Sequence, residues 1–349
     1  MAGMDPLRDR FSPQVVYLDT ATYGLPADSV MAAMEEGLQR WQAGIATMDE
    51  YDAAVDTSRR LFAEIVSSEP EAVAVANQVS VFVGMVAASL PDGARVVAPE
   101  ADFTSLLFPL LVHADRGVTV KTVDLDELAD SIDADTDLVA FSLVQSADGS
   151  VADVDAIEEA ARRHGAKMLV DATQAAGWLP LEAGRFDYLV AGAYKWLLCP
   201  RGTAFMTVSD AAIHDIHPLL ANWYAGDDPW QSIYGPPLRL ARSARRFDVS
   251  PGWLAWVGTA PALEVIASAG VESIHRHDVT LADSLRDRLS LDGHGSAIVS
   301  IPLSDGSVLT ERGIAAAVRA GSVRVGFHLY NDATDVEALV SAVESIGGN

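Results

Sequence analysis

One cysteine in 349 residues, Cys199, rules out an intramolecular disulfide and fits a reducing cytosol. Basic residues are scarce too. Lys and Arg number 24 against 49 Asp and Glu, a net charge of −25. So acidic a surface repels phosphate backbones and anionic lipid, which disfavours nucleic-acid and membrane-surface roles. An anionic ligand would have to be held by a local cluster of donors. No apolar run approaches the length of a membrane span, and the opening MAGMDPLRDRF has no apolar signal-peptide core. A cytoplasmic location is the expectation. The chain has no internal repeat, HExxH, paired Cys/His spacing, P-loop, GxGxxG or GxSxG, so no metal site is expected. His275 and His277 read as surface residues of a charged helix.

Half of the residues are hydrophobic, enough for one large and one smaller domain. Short apolar runs at Val73–Ala76, Arg95–Ala98, Val118–Val123, Leu138–Val144, Lys167–Val170, Tyr188–Ala191 and Thr203–Val208 read as strands alternating with helical segments. The clearest helix has Asp153 as N-cap, Val154, Ile157 and Ala161 on one face, and Gly165 past its end. This alternation predicts an α/β fold around a mostly parallel sheet of about seven strands, with ligands bound at the strands' carboxyl ends. Beyond about residue 250 the pattern becomes α+β. It predicts helices from Trp253 to Ala269 and on to Leu289, a strand at Ala297–Pro302, a helix near Glu311 to Ala320, a strand at Val323–Gly326 and a last helix from Asp335 to Ile346. The expected division is 1–16 as an N-terminal segment packing on the small domain, 17–250 as the large domain and 251–349 as the small C-terminal domain.

Polar residues follow the predicted strands. Asp171 ends the run Met168–Val170, with Gln174 three residues on; a carboxylate buried there needs a partner. Lys195 follows the next strand in VAGAYKWLLCPRGTAF. Ser80 and Phe103 stand at strand-to-helix junctions, and Gln145 and Ser146 at another. An amine, a strand-end carboxylate, an aromatic and a helix start able to hold phosphate are the parts needed for pyridoxal 5′-phosphate (PLP). Arg239, Arg242, Arg245 and Arg246 form a basic run that could border an anion site. Trp196, Trp253 and Trp256 read as core or interface.

In matching order over about 300 residues, YLDTATYGLP, ANQVSVFVG, DATQ, AYKWL, RRFDVSP and VRVGFHLYND resemble motifs of the class V aminotransferase family. This family of fold-type I PLP enzymes includes cysteine desulfurases, kynureninases and isopenicillin N epimerase. Gln78-Val79-Ser80 stands where Gly-Ala-Thr is usual, and the Tyr-Lys pair is closer to the kynureninase version than to the desulfurase His-Lys. The resemblance implies that Lys195 condenses with the cofactor aldehyde and then moves protons at the substrate Cα. Asp171 pairs with the pyridinium nitrogen, Gln174 bonds the phenolic oxygen and Phe103 stacks on the ring. Ser80, Tyr194 and the Val79 and Ser80 amides hold the phosphate, with Ser250 of the partner subunit. Arg324 binds the substrate carboxylate, with Arg319 as its rival, and Gln145 and Ser146 line the substrate side. Tyr330 and Asn331 belong to a fold signature. The resemblance also implies a homodimer with shared sites, the Arg245/Arg246 region crossing between subunits.

A persulfide mechanism needs a mobile cysteine. Cys199 lies four residues beyond the lysine, and the segment from Pro302 to Arg324 has none; Cys199 reads as a small buried hydrophobe. The family resemblance implies, as the expected activity, a PLP-dependent aminotransferase acting on a small-molecule amino acid. The alternatives are β-elimination (including C–S lysis), kynureninase-like hydrolysis, epimerisation, or a catalytically silent PLP-binding protein.

Overall fold

The structure, a computed structural model, describes residues 5–347. Residues 1–4 of the expected N-terminal segment and 348–349 of the expected small domain lie outside the described residues. The chain opens with α1 (Asp5–Arg8), β1 (Val16–Tyr17), α2 (Asp28–Gln42) and α3 (Met48–Ile65). It continues through β2 (Val73–Ala76), α4 (Val79–Ser89), β3 (Arg95–Pro99), α5 (Thr104–Leu111), β4 (Thr119–Val123), β5 (Leu138–Ser142), α6 (Val154–His164), β6 (Lys167–Asp171), β7 (Tyr188–Gly192) and β8 (Ala204–Val208). After a long irregular stretch come α7 (Trp253–Ala269), α8 (Val271–Leu289), β9 (Ile298–Ile301), α9 (Ser307–Glu311), β10 (Ile314–Ala315), β11 (Ala317–Arg319), β12 (Ser322–Gly326) and α10 (Ala333–Gly347).

The seven apolar runs form one sheet of order β2-β8-β7-β6-β5-β3-β4, in which β8 runs antiparallel to both its neighbours. The runs are almost continuously apolar because both faces are covered. Val139 and Phe141 of β5 join one core, which also takes Val55 and Phe62 of α3 and Leu263 of α7. Leu138 and Ala140 join a second core, with Phe82 and Val86 of α4 and Leu106 of α5. Helix α6 starts where Asp153 Oδ1 accepts the Ala156 N–H at 3.1 Å and stops at Gly165 with φ +76°.

A third core, including Leu285, Ile301, Val325 and Leu339, lies beneath the three-stranded sheet β11-β12-β9. Here the structure corrects the sequence reading. The helix expected from Glu311 to Ala320 is a single turn, α9, followed by two strands. Ala320 (φ +47°) and Gly321 (φ +79°) make a two-residue turn between the paired residues Arg319 and Ser322, a geometry that suits a hairpin and not a helix. β10 pairs in parallel with β1, nearly 300 positions away in sequence, a partner no local pattern reveals. Arg8 forms an ion pair with Asp332, and Phe11 stacks edge-on to Tyr330, so the N-terminal segment packs on the loop before α10.

RRFDVSP is fastened to its own chain by its carboxylate. Asp248 is fully buried, receives Arg59 Nη2 at 2.7 Å and accepts the Val75 N–H at 2.8 Å. It fastens the segment to β2 and α3, while Ser250, two residues on, is exposed. Removing one member of such a pair strands the other charge in the core, at about 3–5 kcal/mol. Asp248→Ala should therefore lower the unfolding free energy in urea by about that amount. A paired Arg59→Met/Asp248→Leu variant should lose less.

Candidate active site

The carboxyl ends of β5, β6 and β7 open into a cavity of about 370 Å³. Asp171, Gln174, Lys195, Phe103, Val79, Tyr194 and Ser146 all contribute to its lining. Asp171 is the last residue of β6, and its Oδ1 accepts the Thr173 N–H at 2.8 Å. Lys195 follows β7 by three residues, and its Nζ lies 5.3 Å from the centre of the Phe103 ring. Phe103 caps the start of α5 and is 45% exposed, so it stands at the cavity mouth.

The backbone around Lys195 is tightly confined. Its carbonyl accepts the Leu198 N–H at 3.1 Å, and the preceding carbonyl, of Tyr194, accepts the Gly24 N–H at 2.9 Å. A Cβ on Gly24 would fall 2.0 Å from the Lys195 oxygen, and one on Gly177 would fall 2.5 Å from that of Trp196. Only glycine admits such approaches. YLDTATYGLP thus works by wrapping its glycine against the lysine-bearing loop.

Burial sets the electrostatics. Lys195 is 5% exposed and Asp171 4%. Desolvation lowers the Lys195 amine to about 8, against the pull of Asp171; nearby Arg324 and Arg319 lower it further. Desolvation raises the Asp171 carboxyl to about 6, against its bonds to Thr173, and neighbouring Asp102 adds to the rise. No ion pair neutralises Lys195 among the described residues; its nearest aromatic faces are Phe103 and Tyr194.

The Aminotransferase class-V family model matches residues 16–302. The chain belongs to this family. It is 25% identical over 358 residues to the uncharacterized aminotransferase YcbU of Bacillus subtilis, covering 92% of this chain and 94% of that one. It is 26% identical over 391 residues to isopenicillin N epimerase of Streptomyces clavuligerus, covering 96% of each. Its fold matches that of a cysteine desulfurase from Thermococcus onnurineus with a TM-score of 0.85 at 19% identity, covering 99% and 98%. As a class V aminotransferase-type chain it is a PLP-dependent enzyme, and the cavity suits that cofactor. It offers a buried amine without an anionic partner, a buried carboxylate with one oxygen bonded to Thr173, and the first turn of α4 with no side-chain cap of its own.

Within this class V framework some expected residues stand elsewhere. Gln145 is buried away from the cavity, its Nε2 donating to Asp102 Oδ2 and the Ser142 carbonyl, both at 3.2 Å. Ser80 is the second residue of α4, and the junction lines the cavity through Asn77, Gln78 and Val79 instead. Ser250 lies outside the cavity of its own chain, as do Arg239, Arg242, Arg245 and Arg246. Arg324 sits behind the wall at 1% exposure. Its guanidinium donates to Thr22 Oγ1 at 2.7 Å and to the Ser146 carbonyl, with Asp19 at 3.8 Å and Nε unpartnered. Desolvation lowers it to about 10. Arg319 is exposed and reaches the same Thr22 hydroxyl at 3.2 Å. The histidines are not free surface groups: both are half-buried, His275 stacked on Trp178 and His277 bonded to the Asn331 carbonyl. Trp196 and Trp256 are buried in the core; Trp253 is half-buried and stacks on Tyr51. Cys199 is 2% exposed and outside the cavity, so the chain's single thiol is not placed to accept sulfur there.

Sequence reasoning missed Asp102, Thr173 and Arg201. Asp102 accepts from Phe103 N, Ser142 N, Ser142 Oγ and Gln145 Nε2, and so fixes Phe103 against the end of β5. Its place directly before Phe103 was the available signal. Thr173 ties β6 to β7 by accepting the Gly192 N–H at 2.9 Å, and the Asp-x-Thr spacing of a side-chain turn foreshadows it. Arg201 lies over the Tyr194 ring at 5.2 Å, and nothing in its sequence neighbourhood marks it.

A carboxyl raised from 3.8 to about 6 favours folding only while protonated: its contribution is full below the lower value and is lost as pH rises through the higher. Above that window the cofactor-free wild type should be less stable than Asp171→Asn by up to about 3 kcal/mol. The gap should close near about pH 4. Urea titrations of both cofactor-free proteins across this range check it; equal stabilities at about pH 8 contradict it.

Proposed function

We propose that this enzyme is an aminotransferase acting on a small amino acid. The observation that carries the proposal is the cavity's proton chemistry. Among the described lining residues there is no histidine and no cysteine, and Lys195 is the one amine. Transamination asks a single base to take a proton from the substrate Cα and return it two atoms away, beyond the nitrogen, on the same face. An amine lowered to about 8 can do both near neutral pH. Epimerisation by two bases on opposite faces would need a second proton carrier; besides the Arg201 guanidinium, the titratable groups left in the described lining are Tyr194, next to Lys195 in the chain, and Asp171, which the ring nitrogen would occupy.

The remaining roles follow the geometry. Asp171 would hold the protonated ring nitrogen, and Gln174 Nε2 would reach the phenolic oxygen by giving up its bond to Ser146 Oγ. Phe103 would cover one ring face, and the first turn of α4 with Tyr194 would receive the phosphate. When bound, PLP supplies a carbonyl for the amine and a ring that accepts electrons from Cα. Arg201 lines the cavity over Tyr194, where the phosphate would lie, and Arg324, oriented behind the wall by Thr22 and Ser146, would receive the substrate carboxylate. We further propose a cytoplasmic homodimer, on the single cysteine and on the exposed apolar side chains Trp41, Ile45, Tyr234 and Leu238.

The test begins with colour. Purified protein with PLP should be yellow and be bleached by borohydride with permanent labelling, and Lys195→Ala should do neither. A panel of L-amino acids should then yield oxo acid only when an oxo-acid acceptor is present. Oxo acid with ammonia and no acceptor would replace transamination by β-elimination. A colourless wild type would refute the cofactor role altogether.

A further inference from the structure

Behind the cavity, contacts run from the small sheet to the lysine loop and use groups with no role so far. His328, in the loop after β12, and Asp278, on α8, are both fully buried. The imidazole Nδ1 meets Asp278 Oδ2 at 2.8 Å, and Nε2 meets the Trp196 carbonyl at 3.0 Å. A carbonyl only accepts, so Nε2 carries a proton; a second proton is shared between Nδ1 and Asp278. Trp196, directly after Lys195, uses its indole Nε1–H to reach Gln174 Oε1 at 2.8 Å. That bond decides which way the Gln174 amide points. With Oε1 occupied, Nε2 faces Ser146 Oγ and the Ala21 carbonyl, both at 2.9 Å. Trp196 is closed in by Gly177 at its carbonyl and by Gly326, whose added Cβ would lie 3.1 Å from the indole.

We infer that His328, held by Asp278, is a positioning residue that fixes the Trp196–Leu197 peptide, directly after Lys195, and, through the Trp196 indole, the orientation of the Gln174 amide. The inference rests on the PLP reading above. Loss of the imidazole leaves the Trp196 carbonyl buried and unpaired, a state the loop relieves by moving. That movement carries the amine and the amide together, and displacements of about 1 Å at such groups cost up to about 100-fold in rate.

The experiment compares His328→Phe with His328→Gln, which keeps a donor, and with Tyr330→Phe as control. Tyr330 is buried in the same loop and bonds Thr20, but touches neither Trp196 nor Gln174 through its hydroxyl. PLP is the probe; the readouts are the visible absorption maximum of the loaded protein, the stopped-flow rate of PLP capture by the amine, and Tm. His328→Phe should bind PLP with a displaced band and capture it roughly tenfold more slowly, and His328→Gln should recover most of both. Tyr330→Phe should lower Tm and leave band and rate unchanged. Should His328→Phe not fold, Trp196→Phe, which deletes only the indole N–H, should displace the band. A band and capture rate within twofold of wild type in whichever variant folds overturn the inference, whereas a wild type that never captures PLP overturns the cofactor reading instead.

Discussion

The structure depends on two buried charges that it does not neutralise itself. Lys195 and Asp171 stand in one cavity at the carboxyl edge of the sheet, each almost wholly removed from water. Water exclusion pushes the amine down and the carboxyl up, toward the neutral forms. A fold keeps such a penalty where a ligand removes it, and under the proposed reading the cofactor's ring nitrogen and aldehyde would do so. The binding energy and the instability of the empty site are thus two sides of one interaction.

Holding that arrangement requires a rigid frame, and the frame is built by close backbone approach. Gly24 and Gly177 bring two distant segments against the carbonyls of Lys195 and Trp196. Asp102 gathers the starts of α5 and the end of β5 around one carboxylate whose oxygens both accept bonds. Asp248, bonded to Arg59 and to the backbone of β2, anchors the segment that follows β8. Each acts as a buried polar knot with its partners in place, which specifies geometry more sharply than apolar packing does.

The relatives include proteins named as aminotransferases, desulfurases and an epimerase, and the fold alone does not choose among them. The side chains narrow the choice. A thiol at 2% exposure outside the cavity is not placed to accept sulfur there, and among the described lining residues there is no histidine and Lys195 is the one amine. The exposed Phe103 edge leaves the cavity mouth partly apolar, which bears on the substrates it admits.

Much was legible in the chain itself. All seven strands of the main sheet, the helix between Asp153 and Gly165, and the convergence of Lys195, Asp171, Gln174, Phe103 and Ser146 followed from apolar runs and from what stands at their ends. These are local facts: a strand buried on both faces must be continuously apolar, and its carboxyl end is where polar groups gather. Tertiary structure alone decided that Gln145 turns into the core toward Asp102, and that the turn before α4 presents Asn77 and Gln78 to the cavity ahead of Ser80. It also made strands of the alanine-rich segment after Glu311, because their partners are β1 and β12. It set His328 against the lysine loop from 132 positions away. Periodicity fixes which face of an element is buried, but a side chain's direction and its distant partners are set only when the elements pack, and packing is a property of the whole chain.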